Sequence, residues 1–325
     1  EWFRVNSSSA QGSLELDRAL GISTGINNIS TPGDEAREAP YTTANAARVL
    51  PIDMDNRVIV EGGEISYTSG QTSWTKSAIK ITGFYAPAVI GVRVHGCYGP
   101  AVRIQACYEA AVHAPVGSQL VNNTSSGQYG YLVTDNASYG TVVGGLRAHE
   151  TRHAYTSNHG AIAAGETDYY SQLSVGRTVG ARVFGGTATG GSTAPWNTHH
   201  ASDDATFDGL VVKGSRAPGA SFRGRRNLVR GIQVVDCFEG VRVLADYQDT
   251  FSNSDLFTAG KELADASSLI LVDPQIDCDE IALGVASASM HVAGTGNYTV
   301  GDFTFVDSTG SIVFDGAHYF RFVDK

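Results

Sequence analysis

The sequence predicts a right-handed parallel β-helix, an all-β solenoid, on three observations. Its apolar pieces are short, four to six residues, alternate Val or Ile with a polar residue, and end at Gly, Asn, Asp or Ser, which is strand and turn chemistry. Short stretches of the chain echo one another at intervals of about 22 to 26 residues. Composition agrees: 38 of 325 residues are Gly, 27 are Tyr or Phe, and only 17% are charged. An antiparallel sandwich would also give many short strands. The echo favours a solenoid, because a coil that cannot bury its own apolar side gains stability by stacking on the next.

The clearest echo is Val92-Arg-Val-His-Gly-Cys97-Tyr98, repeated ten residues later as Val102-Arg-Ile-Gln-Ala-Cys107-Tyr108. Ten residues carry the chain round one corner onto the next face. Leu210-Val-Val-Lys-Gly-Ser215 returns 22 residues later as Ile232-Gln-Val-Val-Asp-Cys237, and Ala220-Ser-Phe222 at 21 as Val241-Arg-Val243, so that this spacing is one full turn. Residues 1–88 are expected to form the first coils with a cap or insertions, 89–290 the central coils, and 291–325 a terminal piece. Short helices are expected around Leu14 to Leu20 and Thr43 to Leu50. The alternating strands on either side of Asp307-Ser-Thr-Gly310 read as a hairpin covering the last coil or meeting a neighbouring subunit.

No apolar run approaches the roughly 20 residues that span a bilayer, and a membrane partner is not expected. Cys97, Cys107, Cys237 and Cys278 lack CxxC spacing and sit among Val, Ile and Ala, as buried thiols do. The total charge of −10 is unevenly placed: from Arg147 to Arg230 ten basic residues face six acidic ones, a local net of +4, and five of nine His lie there too. A basic middle in an acidic chain suits a locally held anion and argues against a nucleic-acid partner.

The densest polar constellation lies in residues 146–160, 194–204 and 221–227. His199 to Arg223 is 24 residues, one coil; His153 to His199 is 46, two coils; and Tyr247 falls 24 after Arg223. Stacked about 4.8 Å apart, these would form a column on one face running His153 with Arg152, a neighbour near Arg177, His199 or His200, Arg223 or Arg225, and Tyr247. His199 and His200 point opposite ways on a strand, so one of them at most serves a site. Tyr169, Tyr170 and Trp196 are candidate sugar-stacking platforms.

The run Arg152-His-Ala-Tyr-Thr156, the triplet Asn197-Thr-His199 and Phe222-Arg-Gly-Arg-Arg-Asn227 resemble the β-helix depolymerase domain of bacteriophage tail spikes, in the broad pectate-lyase-like group, over residues 146–245. That family more often has Asp where Asn197 stands, and its Asp-Gly-rich N-terminal opening is not visible, so Glu1 is expected to lie inside a longer polypeptide. The resemblance implies a homotrimeric virion-tail protein, acting outside the cell, that cleaves a bacterial surface polysaccharide.

Two chemistries fit a glycan groove. β-Elimination on a uronate needs a cation against the carboxylate, a base and an acid. Arg152 or Arg223 would clamp the carboxylate, His199 or His153 abstract the proton, and Tyr247 or Tyr155 protonate the leaving oxygen, with Arg225, Trp196, Asn197 and His200 binding sugar. Hydrolysis needs two carboxyl groups some 5 to 9.5 Å apart, for which Asp203, Asp204 and Glu150 are candidates. A glycan adhesin that does not cleave is the reading from another class. His149-Glu-Thr-Arg-His153 also matches HExxH, with His159 as a third ligand, but zinc needs both His on one helical turn, the preceding residues are poor helix material, and Thr156 stands where the extended motif has Gly. No metal or other cofactor is expected.

Overall fold

The computed structural model describes residues 57–67, 77–97, 99–120, 122–123, 128–158, 178–198, 202–244, 267–307 and 309–323. They wind into a right-handed parallel β-helix of three faces. Among the described residues, nine strands form the first face: Ile79–Thr82, Val102–Gln105, Tyr131–Asn136, His153–Asn158, Trp196–Thr198, Pro218–Phe222, Glu239–Leu244, Ile281–Ala286 and Asp302–Val306. Each pairs in parallel with the strand one coil above and below. The second face includes Ala111–His113 and Val142–Gly144, and the third Arg93–His95, Val116–Ser118 and Arg147–His149. A single left-handed residue bends the chain between these two faces, Gly in most coils, with Ala114 (φ 50°) and Asp273 (φ 50°) taking the same conformation.

The echoes are the register. Val212 pairs with Val234 and Ala220 with Val241, offsets of 22 and 21, while the ten-residue repeat carries the chain from the third face at Arg93–His95 to the first at Val102–Gln105. Inward positions stack into columns: Val102, Val133, Tyr155, Trp196, Ala220, Val241 and Leu283 are all fully buried. The four cysteines are buried and free.

Three coils are long. Val102 to Val133 is 31 residues, Tyr155 to Trp196 is 41 and Val241 to Leu283 is 42, against 21 to 24 elsewhere on this face. The surplus falls in sequence between Leu120 and Tyr131, between Asn158 and Thr178, and between Leu244 and Ser267. Hence His153 to the strand Trp196–Thr198 is one coil carrying an insertion, not two coils.

The end of the chain also corrects an expectation. Asp302–Val306 pairs in parallel with Ile281–Ala286, and Ser311–Phe322 in parallel with Ala288–Val300, so the two strands continue the coil and do not pair as a hairpin. The turn between them is a corner in which Asp307 accepts hydrogen bonds from the backbone N–H groups of Ser287 and Thr309. Strands Ala88–Ile90 and Ala288–Val300 run across residues 88–89 and 290–291. The segments Leu14 to Leu20 and Thr43 to Leu50 lie outside the described residues.

Candidate functional site

Strand alternation turns one residue in two of the first face outward. In register these are Lys80, Arg103, Thr134, Thr156, Asn197, Ser221 and Arg242, an unbroken polar row over seven coils. Its middle is sheltered: Arg103 is 5% exposed, Thr134 4%, Thr156 3%, Asn197 6% and Ser221 9%. Outward residues of the third face, such as Arg147, His149 and Lys213, are exposed instead. Within the row Thr156 Oγ1 donates to Asn197 Oδ1 at 3.1 Å.

Beside this row lies a cluster of rings and guanidinium groups. The His153 ring stacks on Tyr131, with centroids 5.1 Å apart and planes 8° apart, and the Arg152 guanidinium carbon is 5.9 Å from the Tyr131 centroid. His153 Nδ1 lies 2.5 Å from the Ala194 carbonyl oxygen. A carbonyl only accepts, so the proton sits on Nδ1 and the lone pair on Nε2. Burial lowers the His153 pKa to about 3, with the positive charges of Arg152 and Arg223 acting in the same direction and the Ala194 hydrogen bond opposing them. Burial raises the Tyr131 pKa, while Arg152 and Arg103 act to lower it. Arg152 thus stands beside the stacked pair, while the charges of Arg103 and Arg223, on other coils, act on Tyr131 and on His153 respectively. In a sheltered setting their field is screened less than at an open surface.

Of the residues singled out in the sequence, Asn197 stands in the outward row, Arg152 and His153 stand together at Tyr131, and Arg223 is among the charges acting on His153. As a proton acceptor His153 is corrected: with a pKa near 3 the neutral ring is a weak base. Tyr155 and Trp196 are corrected too, because both are fully buried in the solenoid interior. Tyr155 packs edge-on against Phe207 and donates to Asp135 Oδ2 at 3.3 Å; Trp196 Nε1 donates to the Val211 carbonyl at 3.3 Å. Neither presents a ring to a sugar.

The expected acids do not form a pair. Asp203 is held by Arg225 Nη2 at 2.9 Å and Asp204 by Arg226 Nε at 2.6 Å, which also removes Arg225 from the row. Asp203 stands at the corner where the chain leaves the first face, in register with Val179. Glu150 stands at the opposite corner, where its N–H donates to the Thr189 carbonyl. A strand of six residues between such corners spans roughly 20 Å, too far to flank one glycosidic bond. The HExxH string is divided as well, His149 on the third face and His153 on the first, and among the described residues no three His, Cys, Asp or Glu side chains converge as a metal site. His199, His200, Tyr247, Tyr169, Tyr170, Arg177 and His159 lie outside the described residues. The 24-residue step that led to Tyr247 is 21 at this level, where Phe222 pairs with Val243.

Sequence reasoning missed Tyr131, Arg103, Thr134, Thr156 and Ser221 at this face, and Glu239, a buried acid paired with Arg242 whose pKa is raised first by desolvation. Arg103 carried a signal, since it occupies the Arg position of the ten-residue repeat.

No family model matches the sequence. Solved structures to which the chain is similar include a family 28 exopolygalacturonase from Yersinia enterocolitica, at 13% identity and a TM-score of 0.38, over 74% of this chain and 46% of that one. Another is tailspike protein 3 of bacteriophage CBA120, at 10% identity and a TM-score of 0.37, over 81% of this chain and 49% of that one. A third is the surface protein and adhesin PfbA of Streptococcus pneumoniae, at 8% identity and a TM-score of 0.35, over 82% of this chain and 89% of that one. The chain spans about half the length of the first two.

Proposed function

We propose that this chain is a depolymerase of bacterial surface polysaccharide that cleaves a uronate-containing glycan by β-elimination. The observation that carries the reading is the stack of Tyr131 on His153 with the Arg152 guanidinium beside it, the charges of Arg103 and Arg223 acting on the pair, next to a sheltered row of Thr, Asn and Ser. Guanidinium groups on a uronate carboxylate withdraw charge from it and acidify the adjacent C5–H. A base takes that proton, the C5 electron pair forms the C4=C5 double bond, and the C4–O bond breaks onto a leaving oxygen that must gain a proton. His199 is the proposed base and Tyr131, its phenol beside Arg103 and Arg152, the proposed proton donor. Asn197 and Thr156 supply amide and hydroxyl contacts to the sugar. The assignment of His199 rests on the sequence.

The setting proposed is a phage tail spike acting outside the cell as a homotrimer, with the sugar polymer as its partner. The test is incubation with a panel of uronate-containing capsular polysaccharides, read by ultraviolet absorbance and mass spectrometry. Unsaturated ends support elimination. Reducing ends without the absorbance assign hydrolysis and turn attention to Glu239, and binding without shortening of the polymer assigns an adhesin.

A further inference from the structure

The third face of the prism carries another polar row, which the proposed cleavage site does not use. Six successive coils place Ser66, His95, Ser118, His149, Thr189 and Lys213 in register, an alternation of hydroxyl and basic nitrogen without a break. The rings are tied to the hydroxyl of the next coil: His95 Nδ1 lies 3.0 Å from Ser118 Oγ, and His149 Nδ1 2.8 Å from Thr189 Oγ1. Two residues earlier on the same strands, Arg93 and Arg147 stand exposed two coils apart with Val116 between them. Glu64, in register with Arg93, Glu150, next to His149, and Asp236, next to the Val235 that pairs with Lys213, are acids close to the row in sequence and register.

The spacing has a physical counterpart. Coils repeat every 4.8 Å or so, and like groups here recur on every second coil, about 9.6 Å. That is the advance of about two pyranose units in an extended chain. A polymer lying along the solenoid axis would meet a basic nitrogen at every second sugar and a hydroxyl between, with no change in the backbone of the protein.

We propose that this row is a holding surface for an acidic polysaccharide, separate from the sheltered face, which keeps a long polymer against the solenoid while another part of it is processed. It rests on the depolymerase reading only for the kind of polymer, and its test requires no cleavage. The measurement is affinity electrophoresis in native gels containing alginate, a soluble polyuronate, or dextran, a neutral one, at low and at raised salt. Wild-type protein should be retarded by alginate and not by dextran, and less so at raised salt. Combined Arg147→Ala, His149→Ala and Lys213→Ala should weaken alginate binding about tenfold, as expected for three exposed charged or polar contacts, while Arg182→Ala, exposed on the second face, keeps most of the retardation. Lys213→Glu alone should weaken binding in the same direction, and it decides the matter if the triple variant melts early. Absence of retardation in the wild type, or equal retardation of wild type, triple variant and Lys213→Glu, would overturn the proposal. So would loss of binding in Arg182→Ala alone, which would place the polymer contact outside this row and leave the cleavage reading intact.

Discussion

The imidazole of His153 lies flat on the ring of Tyr131, 5.1 Å between centroids, while its Nδ1–H is directed at the Ala194 carbonyl one coil away. The contact joins successive coils, and burial, against the pull of that hydrogen bond, favours the neutral ring. The folded pKa of about 3 is below the ordinary 6.5, so between those values the unfolded chain binds a proton that the folded chain does not. Stability therefore falls as pH drops from about 6.5 towards 3, by several kcal/mol in principle. His153→Gln should flatten this slope at some cost at neutral pH. Urea unfolding of both proteins at pH 7, 5 and 4 checks it, and parallel slopes would refute the role given to His153.

Asp135 works in the opposite sense. Its carboxyl points into the core, fully buried, with the Tyr155 hydroxyl as a donor, and burial raises its pKa from 3.8 to about 6. Here the folded chain holds the extra proton between about 4 and 6, so stability falls as pH rises through that window and stays lowered above it. A shift of this size corresponds to about 3 kcal/mol. Asp135→Asn keeps an acceptor for Tyr155 and carries no charge. It should raise the melting temperature at pH 8, leave it little changed at pH 4, and expose the full acid slope of His153. A lower melting temperature at pH 8 would mean that the ionised carboxylate is stabilised in a way the geometry does not reveal.

The plain coils were legible because nothing interrupts them: Leu210 to Ser215 and Ile232 to Cys237 keep identical spacing, and a stacked strand needs the same inward positions each time. The coil from Tyr155 to Trp196 was not, because its surplus adds length without adding to the inward columns, and counting residues across it converts one coil into two. The site was half legible for the same reason. Arg152 and Arg223 stood out as charge in a lightly charged chain, whereas Trp196 looked like a sugar platform and Tyr155 like a proton donor because residue type does not reveal which side of a strand it occupies. Around Tyr131 and His153 even alternation falters: pairing skips Leu132 and Ala154, and both are buried along with Val133 and Tyr155.

Trp196 depends on a glycine one face away. A Cβ at Gly186 would lie 2.5 Å from Trp196 Cη2, so the indole fills the space that a side chain there would need. Gly186→Ala should destabilise by about 1–3 kcal/mol through overpacking, and Trp196→Ala by about 3–5 kcal/mol through the cavity it leaves. Gly186→Ala combined with Trp196→Phe should cost clearly less than Gly186→Ala and Trp196→Phe made singly and added together, since the smaller ring vacates the contested space. Denaturant midpoints of the four proteins test this. Additive losses would show that the two residues do not compete.

Arg223 separates charge from shape. Its guanidinium is close enough to His153 to depress that ring's basicity, although the two belong to different coils. If it clamps a carboxylate, Arg223→Ala should lower kcat/KM on a cleaved uronate polymer by about a hundredfold, the usual scale for losing a charge-assisted contact to a reacting group. Arg223→Lys retains the positive charge and loses the planar fork, so it should recover only a small part of that loss. A residue that merely supported the fold would instead lower the melting temperature in proportion and leave kcat/KM of the folded fraction unchanged. Measuring both quantities for Arg223→Ala and Arg223→Lys distinguishes the two roles, and full activity in the folded Arg223→Ala protein would remove Arg223 from the chemistry.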